Sequence, residues 1–180
     1  MSGTARGVHV NFRRLQNRIF AFFFARFPVL TARWLKKQQL DDYGPPPWVP
    51  FSKPLADCRI ALVTTAGVHC REDTPFNMAD TDGDPTYRII PRDVARDALW
   101  ITHDYYDHRD ADKDINIVLP LDRLQELVEE GLIGESASYH YSFMGHIDGP
   151  HVSRLLSATA PEAARRLQKE RVDAVVLTPA

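Results

Sequence analysis

The sequence predicts an α/β fold: an incomplete open, mainly parallel sheet with covering helices, preceded by an N-terminal amphipathic helical extension. Three observations carry this expectation. Residues 59–65 and 173–178 are continuous apolar runs of strand length, rich in β-branched residues and without the alternation of a half-exposed strand, as buried parallel strands are. Segments with helical spacing lie between them. A basic, aromatic stretch over residues 1–40 stands before them, set off by a proline-rich linker over residues 41–57, so that the domain proper covers 58–180.

In residues 10–40, Phe12, Leu15, Ile19, Phe22, Phe23 and Phe27 make an apolar stripe, Arg13, Arg14, Arg18 and Arg26 surround it, and Pro28 kinks or breaks the helix. The longest charge-free run, Ile19 to Ala25, is too short to cross a bilayer, and no small-residue cleavage site marks a signal peptide. Docking on its own domain or on a partner subunit is the first expectation for this stretch. Peripheral contact with an anionic membrane is the second, and nucleic acid is set aside. Residues 1–40 hold eight Arg or Lys and no acid, leaving 14 basic against 24 acidic residues in the rest, a balance of −10. The linker contains Gly44-Pro-Pro-Pro-Trp-Val-Pro50 and Lys53-Pro54.

Further strand candidates are Tyr87–Ile90, Leu99–Thr102 and Ile115–Leu119, the last expected to run parallel with the two long apolar runs. Helices are expected over 120–131, where Leu121, Leu124, Leu127 and Val128 share a face, over 150–156, and over 160–170 with Pro161 in the first turn. Asp80, Asp82 and Asp84 around Gly83 suggest a calcium loop, but the spacing to a terminal Glu fails, so turns are the better account. Cys58 and Cys70 form no Cys-x-x-Cys pair, which fits a reducing, cytoplasmic location.

Function concentrates in three segments that hold every His except His9: Thr64-Thr-Ala-Gly-Val-His-Cys70, the stretch from Trp100 to Leu119, and Tyr139 to His151. Between His103 and Asp114 alone there are two His, five Asp, two Tyr, an Arg and a Lys. In an open α/β sheet ligands bind at the carboxyl ends of the strands, which is where His69 falls after the first apolar run. The Gly67 turn lacks the glycine spacing and Lys of a dinucleotide or phosphate loop. Asp110, Asp112 and Asp114 read as turn and cap residues.

Leu62-Val-Thr-Thr-Ala-Gly-Val-His69, Asp80-x-Asp-Gly-Asp-Pro85, His103-Asp-Tyr-Tyr-Asp-His108, Asp110-Ala-Asp-Lys-Asp-Ile-Asn116, His140-Tyr-Ser-Phe-Met-Gly-His146 and Val172-Asp-Ala-Val-Val-Leu-Thr-Pro179 occur in this order. The set resembles the selenocysteine-containing B-type subunit of the glycine, sarcosine, betaine and D-proline reductase family, over about residues 59–180. The basic leader lies outside that pattern. The resemblance implies reductive cleavage of a carbon–nitrogen bond in an amino acid or its N-methylated relative. It implies no cofactor in this chain, a pyruvoyl group on a partner subunit, a thioredoxin-like thiol carrier, and a selenocysteine or cysteine nucleophile expected just after Ala180, so that this chain stops short of it.

Within that reaction His69, His108 and His140 are the candidates for proton transfer. Asp104 and Asp107 could orient imidazoles or pair with a substrate ammonium, and Tyr105, Ser142 and His146 could hydrogen-bond a carboxylate. No metal is expected at this site. The alternatives are a metal-dependent hydrolase using His69, His103, Asp107 and His108, and a non-catalytic binding subunit.

Overall fold

The structure, a computed structural model, describes residues 19–20, 22–23, 26–36, 44–45 and 49–180. Two compact units result, one of residues 1–42 together with 104–107, the other of 43–103 and 108–180.

In the first unit Phe27 leaves the helical path and α1 begins at Pro28, running Pro28–Leu35. Proline suits that first position, where its missing N–H would have no intrahelical partner. Phe20, Phe22, Phe23, Phe27 and Val29 are exposed, and the Phe23 and Phe27 rings stack at 6.0 Å. The expected stripe residues Phe12 and Leu15, the arginines at 13, 14 and 18, and linker residues 41–43 and 46–48 lie outside the described residues.

The second unit is built on β1, Arg59–Thr64, whose apolar residues are buried on both faces. β7, Ala174–Thr178, pairs with it in parallel from Ile60↔Ala174 to Thr64↔Thr178, so both long apolar runs become neighbouring strands as expected, but β7 is not the buried strand its apolar run suggested: it lies at the sheet edge with Val175, Val176 and Leu177 exposed. On its other side β1 pairs in parallel with two pieces, β5 (Glu135–Ser136) and β6 (Tyr139–Phe143). The register moves from Ile60↔Ser136 to Val63↔Tyr141, so the partner side carries two extra residues and bulges. β3, Tyr87–Pro91, closes that side antiparallel to β6, and a two-stranded antiparallel ribbon of β2 (Val68–Cys70) and β4 (Leu99–Ile101) stands apart. The sheet is thus open, with three parallel pairings and one antiparallel.

One face of the sheet is covered by a long helical stretch. α3 (Pro150–Arg154) passes through a π-helical turn (Leu155–Thr159) into α4 (Ala160–Lys169). The wide turn accommodates Pro161, whose ring would otherwise meet a carbonyl four residues back. Ala163 packs there with Tyr141 and Phe143, and Val63, Tyr87, Ile89, Leu155 and Leu167 close round them. α2, Leu121–Glu129, buries Leu121 and Leu124.

One expected strand is corrected. Residues 115–119 do not extend the sheet; Ile115–Ile117 form a 3-10 turn. Asp114 accepts the Asn116 amide and Asn116 in turn accepts the Asp122 amide, capping both the turn and α2, and Pro120 removes a ladder donor. Asp114 therefore has the cap duty its composition suggested. β6, by contrast, is a strand not among the expected ones.

Candidate functional site

The carboxyl ends of β1, β6 and β7 meet in a polar cradle tied together by threonines. Thr64 Oγ1 donates to Thr178 O at 3.1 Å and accepts the Ala66 amide at 3.2 Å. Thr65 donates its amide to Thr178 O, and its hydroxyl accepts the Ala180 amide at 3.1 Å. Thr178 Oγ1 in turn donates to Val118 O at 2.8 Å. Hydroxyls at these positions consume the backbone groups that a strand end leaves open.

Two glycines set the shape of the cradle. Gly67 has φ +70° and bonds through its amide to Phe143 O and through its carbonyl to the Thr102 amide, so β1, β6 and β4 converge on it. A Cβ there would lie 2.6 Å from Thr102 O and 3.2 Å from His103 Cβ. At Gly145 a Cβ would lie 3.0 Å from Thr65 O and 3.4 Å from both Ala180 O and His103 Nε2. Thus the imidazole of His103, buried at 4% exposure, faces the ends of β1 and β7 across one glycine. The sequence singled out His103 only as an alternative metal ligand. Its signal as a cradle residue was the Gly145 spacing in Phe-Met-Gly-His, which cannot be paired with position 103 without the fold.

The other predicted residues separate. His69 is buried, with Nδ1 2.8 Å from Cys70 O and Nε2 2.8 Å from Thr102 Oγ1. A carbonyl can only accept, so Nδ1 carries the proton and, in the neutral ring, the threonine hydroxyl donates to Nε2. His140 accepts the Leu62 amide at Nδ1 and lies 3.4 Å from Ser136 Oγ at Nε2, with burial first, then Arg96 and Arg92, holding its pKa down at about 4. That is a structural task, filling the ladder where β5 and β6 bulge away from β1. Ser142 is fully buried and its hydroxyl finds no hydrogen-bond partner among the described residues. His146 bonds Thr81 O at 2.9 Å, and His151 pairs with Asp80, so both fasten the acidic loop 80–84 to the segment after β6. His108 gives Nδ1 to the Asp112 carboxylate at 2.9 Å, an orienting contact for a half-buried imidazole. Asp104, Tyr105 and Asp107 belong to the other compact unit.

Among the described residues no three or more His, Cys, Asp or Glu are grouped to hold a metal ion. The metal-hydrolase alternative also loses His69, whose two ring nitrogens are engaged. Neither thiol is primed. Cys58 lies at the amino end of β1, donates to Pro54 O, and has its pKa pushed up first by burial; Cys70 is pushed up by burial and then by Asp73.

Fold and geometry define an α/β protein with a threonine-tied polar cradle at the carboxyl edge of a largely parallel sheet. More narrowly, the chain belongs to the family described as glycine/sarcosine/betaine reductase selenoprotein B, which matches residues 44–180. It is 42% identical over 134 residues to the D-proline reductase subunit gamma of Acetoanaerobium sticklandii, covering 74% of this chain and 53% of that protein. Against the glycine reductase complex component B subunit gamma of Symbiobacterium thermophilum it is 30% identical over 179 residues, 98% of this chain and 38% of that protein. It is also 30% identical over 132 residues to the sarcosine reductase complex component B subunit beta of Peptoclostridium acidaminophilum, 72% of this chain and 29% of that protein. The chain thus spans about half the length of the first relative and less of the others. The Symbiobacterium match extends into the basic leader, which is therefore not foreign to such proteins. No solved structure matches the chain.

Proposed function

We propose that this chain contributes the carboxyl-edge cradle of a selenol- or thiol-dependent reductase, part of a multi-subunit complex, that cleaves a carbon–nitrogen bond in an amino acid or N-methylated amine. The observation that carries it is the meeting of Thr65 O, Ala180 O and His103 Nε2 around Gly145. Two backbone acceptors and an imidazole suit a nitrogen-bearing substrate and a proton transfer beside it. Two electrons and two protons convert the C–N bond into a C–H and an N–H bond. The electrons come from a selenol or thiol pair that ends as a selenenylsulfide or disulfide and is reset by a dithiol carrier. The nucleophile is supplied from outside residues 1–180, since Cys58 is remote from the cradle and both thiols are held protonated. A pyruvoyl group on a partner subunit would supply the carbonyl that engages the substrate amine. In this scheme His103 serves the reacting end, and the His108–Asp112 pair is the second candidate for moving a proton. A reducing cytoplasm fits the two free cysteines, and among the described residues no helix is long and apolar enough to cross a membrane.

The test is to purify the native protein with its associated subunits from its source cells, measure selenium, and assay C–N cleavage with dithiothreitol as donor: release of ammonia or amine from glycine, sarcosine and betaine, and ring opening of D-proline to its ω-amino acid. Cleavage that is abolished by prior alkylation under reducing conditions is the expected result. Absence of turnover with all four, together with absence of selenium and of an alkylation-sensitive group, rejects the reading.

A further inference from the structure

β4 has one edge on β2, and its other edge opens into a cleft. Antiparallel pairing sets Val68 opposite Ile101, His69 opposite Trp100 and Cys70 opposite Leu99. The bonds from Thr102 N–H to Gly67 O at 2.9 Å and from Arg71 N–H to Ala98 O at 2.8 Å fix the phase of this ladder. Because hydrogen-bonded pairs alternate along an antiparallel ladder, Trp100 turns its backbone groups to His69, while Leu99 and Ile101 turn theirs outward. The Leu99 amide is used locally on Arg96 O. The Leu99 carbonyl and both backbone groups of Ile101 have no partner among the described residues.

The cleft beside this edge holds about 620 Å³, the size of a site for a small ligand or a few residues of extended chain. Asp97, Asp112, Asp114 and Asp122 line it against two bases, and both bases are taken: Arg96 by Asp122 at 2.9 Å and Lys113 by Asp110 at 2.8 Å. Asp112 receives His108, and Asn116 uses only one oxygen of Asp114. Asp97 and the second Asp114 oxygen accept nothing from the described residues. The cleft therefore joins an open strand edge to uncompensated negative charge.

We propose that the β4 edge takes an extended, basic segment of a partner polypeptide as an added strand. Ile101 exchanges two bonds with that segment, N–H to carbonyl and carbonyl to N–H, and Leu99 O accepts a third. Lysine or arginine side chains of the segment meet Asp97 and Asp114. A free ammonium could serve the carboxylates and carbonyls but would leave the Ile101 N–H unpaired, so the edge selects a peptide. A second copy of this chain would bring the same carboxylates face to face, which disfavours it. Three residues of edge, about 10 Å long, pair weakly by themselves, and the charges decide which segments stay. The inference stands apart from the reductase reading, since it concerns a surface of this chain whatever chemistry the cradle serves.

Amide hydrogen exchange of the full chain, followed residue by residue by NMR, tests it with a short, end-blocked peptide alternating lysine and valine. Saturating peptide is expected to slow exchange at the Ile101 amide at least tenfold and to leave Trp100, already paired with His69, unchanged. Asp97→Lys, at an exposed position with no bond to lose, is expected to weaken peptide binding about tenfold. N-methylation of the peptide's amides is expected to abolish it, because the donors for Leu99 O and Ile101 O are gone. No slowing at Ile101 with millimolar peptide, or equal slowing by a glutamate–valine peptide or by free lysine, overturns the proposal. So does slowing that grows with protein concentration in the absence of peptide, which would assign the edge to a second copy.

Discussion

The backbone amide of Leu62 donates to Nδ1 of His140 at 3.0 Å, a side-chain bond standing in for a ladder bond in the middle of the sheet. β5 and β6 present two extra residues to β1 at this point, and without the imidazole the Leu62 N–H would be buried and unpaired. His140→Ala removes both the acceptor and the ring, so a loss of about 3 kcal/mol or more is expected from denaturant unfolding at neutral pH. A loss below about 0.5 kcal/mol would show that the bulge closes without the ring.

The same bond fixes a pH dependence. Nδ1 must keep its lone pair to accept Leu62 N–H, and burial disfavours the charged ring, so His140 titrates at about 4 in the fold against an ordinary value of 6.5. The unfolded chain therefore binds the extra proton first. The contribution is fully present above pH 6.5, falls as pH drops towards 4, and amounts to about 3 kcal/mol over that window. In a urea series the slope of stability against pH between these limits should flatten in His140→Gln, leaving only the part due to other groups.

Gly145 and Gly67 separate the cradle from the fold. Gly145→Ala puts a methyl 3.0 Å from Thr65 O and 3.4 Å from His103 Nε2, contacts that shift by a few tenths of an ångström, so about 1 kcal/mol of stability is expected to go. Reductase activity should fall at least tenfold, because a small misplacement at a reacting centre costs far more than it does in a core. Gly67→Ala meets the Thr102 carbonyl at 2.6 Å and adopts φ +70°, so about 2 kcal/mol or more is lost. Comparing urea midpoints with amine release in the assembled complex checks both; an active Gly145→Ala protein would remove the cradle from the reaction.

Asp84 carries the loop before β3. Burial pushes its carboxyl up, but the Thr86 hydroxyl, the Asn77 and Thr86 amides and Arg88 outweigh burial, and the net direction is down. Arg88 also lies over the Phe76 ring at 4.3 Å, and Phe76 meets His69 edge-on at 6.5 Å, so the carboxylate supports the stack behind His69. Its stabilisation is present above the ordinary carboxylate range and is lost as pH falls below it. Asp84→Asn is expected to cost about 2 kcal/mol at pH 7 and progressively less as the pH is taken below the ordinary carboxylate range, measured by urea unfolding across that range.

How much of this was legible in the sequence depended on whether local pattern or distant partners decide a residue's place. β1 and β7 were plain because Ile60 to Val63 and Ala174 to Leu177 are apolar throughout, and α2 because Leu121 and Leu124 fall on one face. β6 was hidden by its polar residues. Tyr139, Tyr141 and Phe143 alternate with His140 and Ser142, a strand-like pattern, but the polar residues invited a site reading, and they are buried on the face opposite the helix-covered core. Ile115 to Leu119 misled in the opposite sense: the residues are strand formers, but Asp114 and Asn116 outbid the ladder for the local amides. The three His-bearing segments do supply the site's surroundings, yet only His103 reaches the cradle, and its partner is a glycine.

Ser142 decides between two meanings of a buried hydroxyl. It lies in β6 opposite Thr64 and Arg88, fully enclosed, with no partner among the described residues. A hydroxyl in that state costs free energy relative to a methyl-sized group, since it gave up water for nothing. If it is only a packing residue, Ser142→Ala should be as stable as the parent or more stable by up to about 1 kcal/mol, with kcat and KM for amine release unaltered. If instead a substrate carboxylate reaches it when the complex assembles, the same substitution leaves stability untouched and raises KM. Full enclosure favours the first outcome, because a ligand could approach only by parting β6 from its neighbours, and those strands are held by the Leu62–His140 bond on one side and by Arg88, tied to Thr74 O and Pro75 O, on the other.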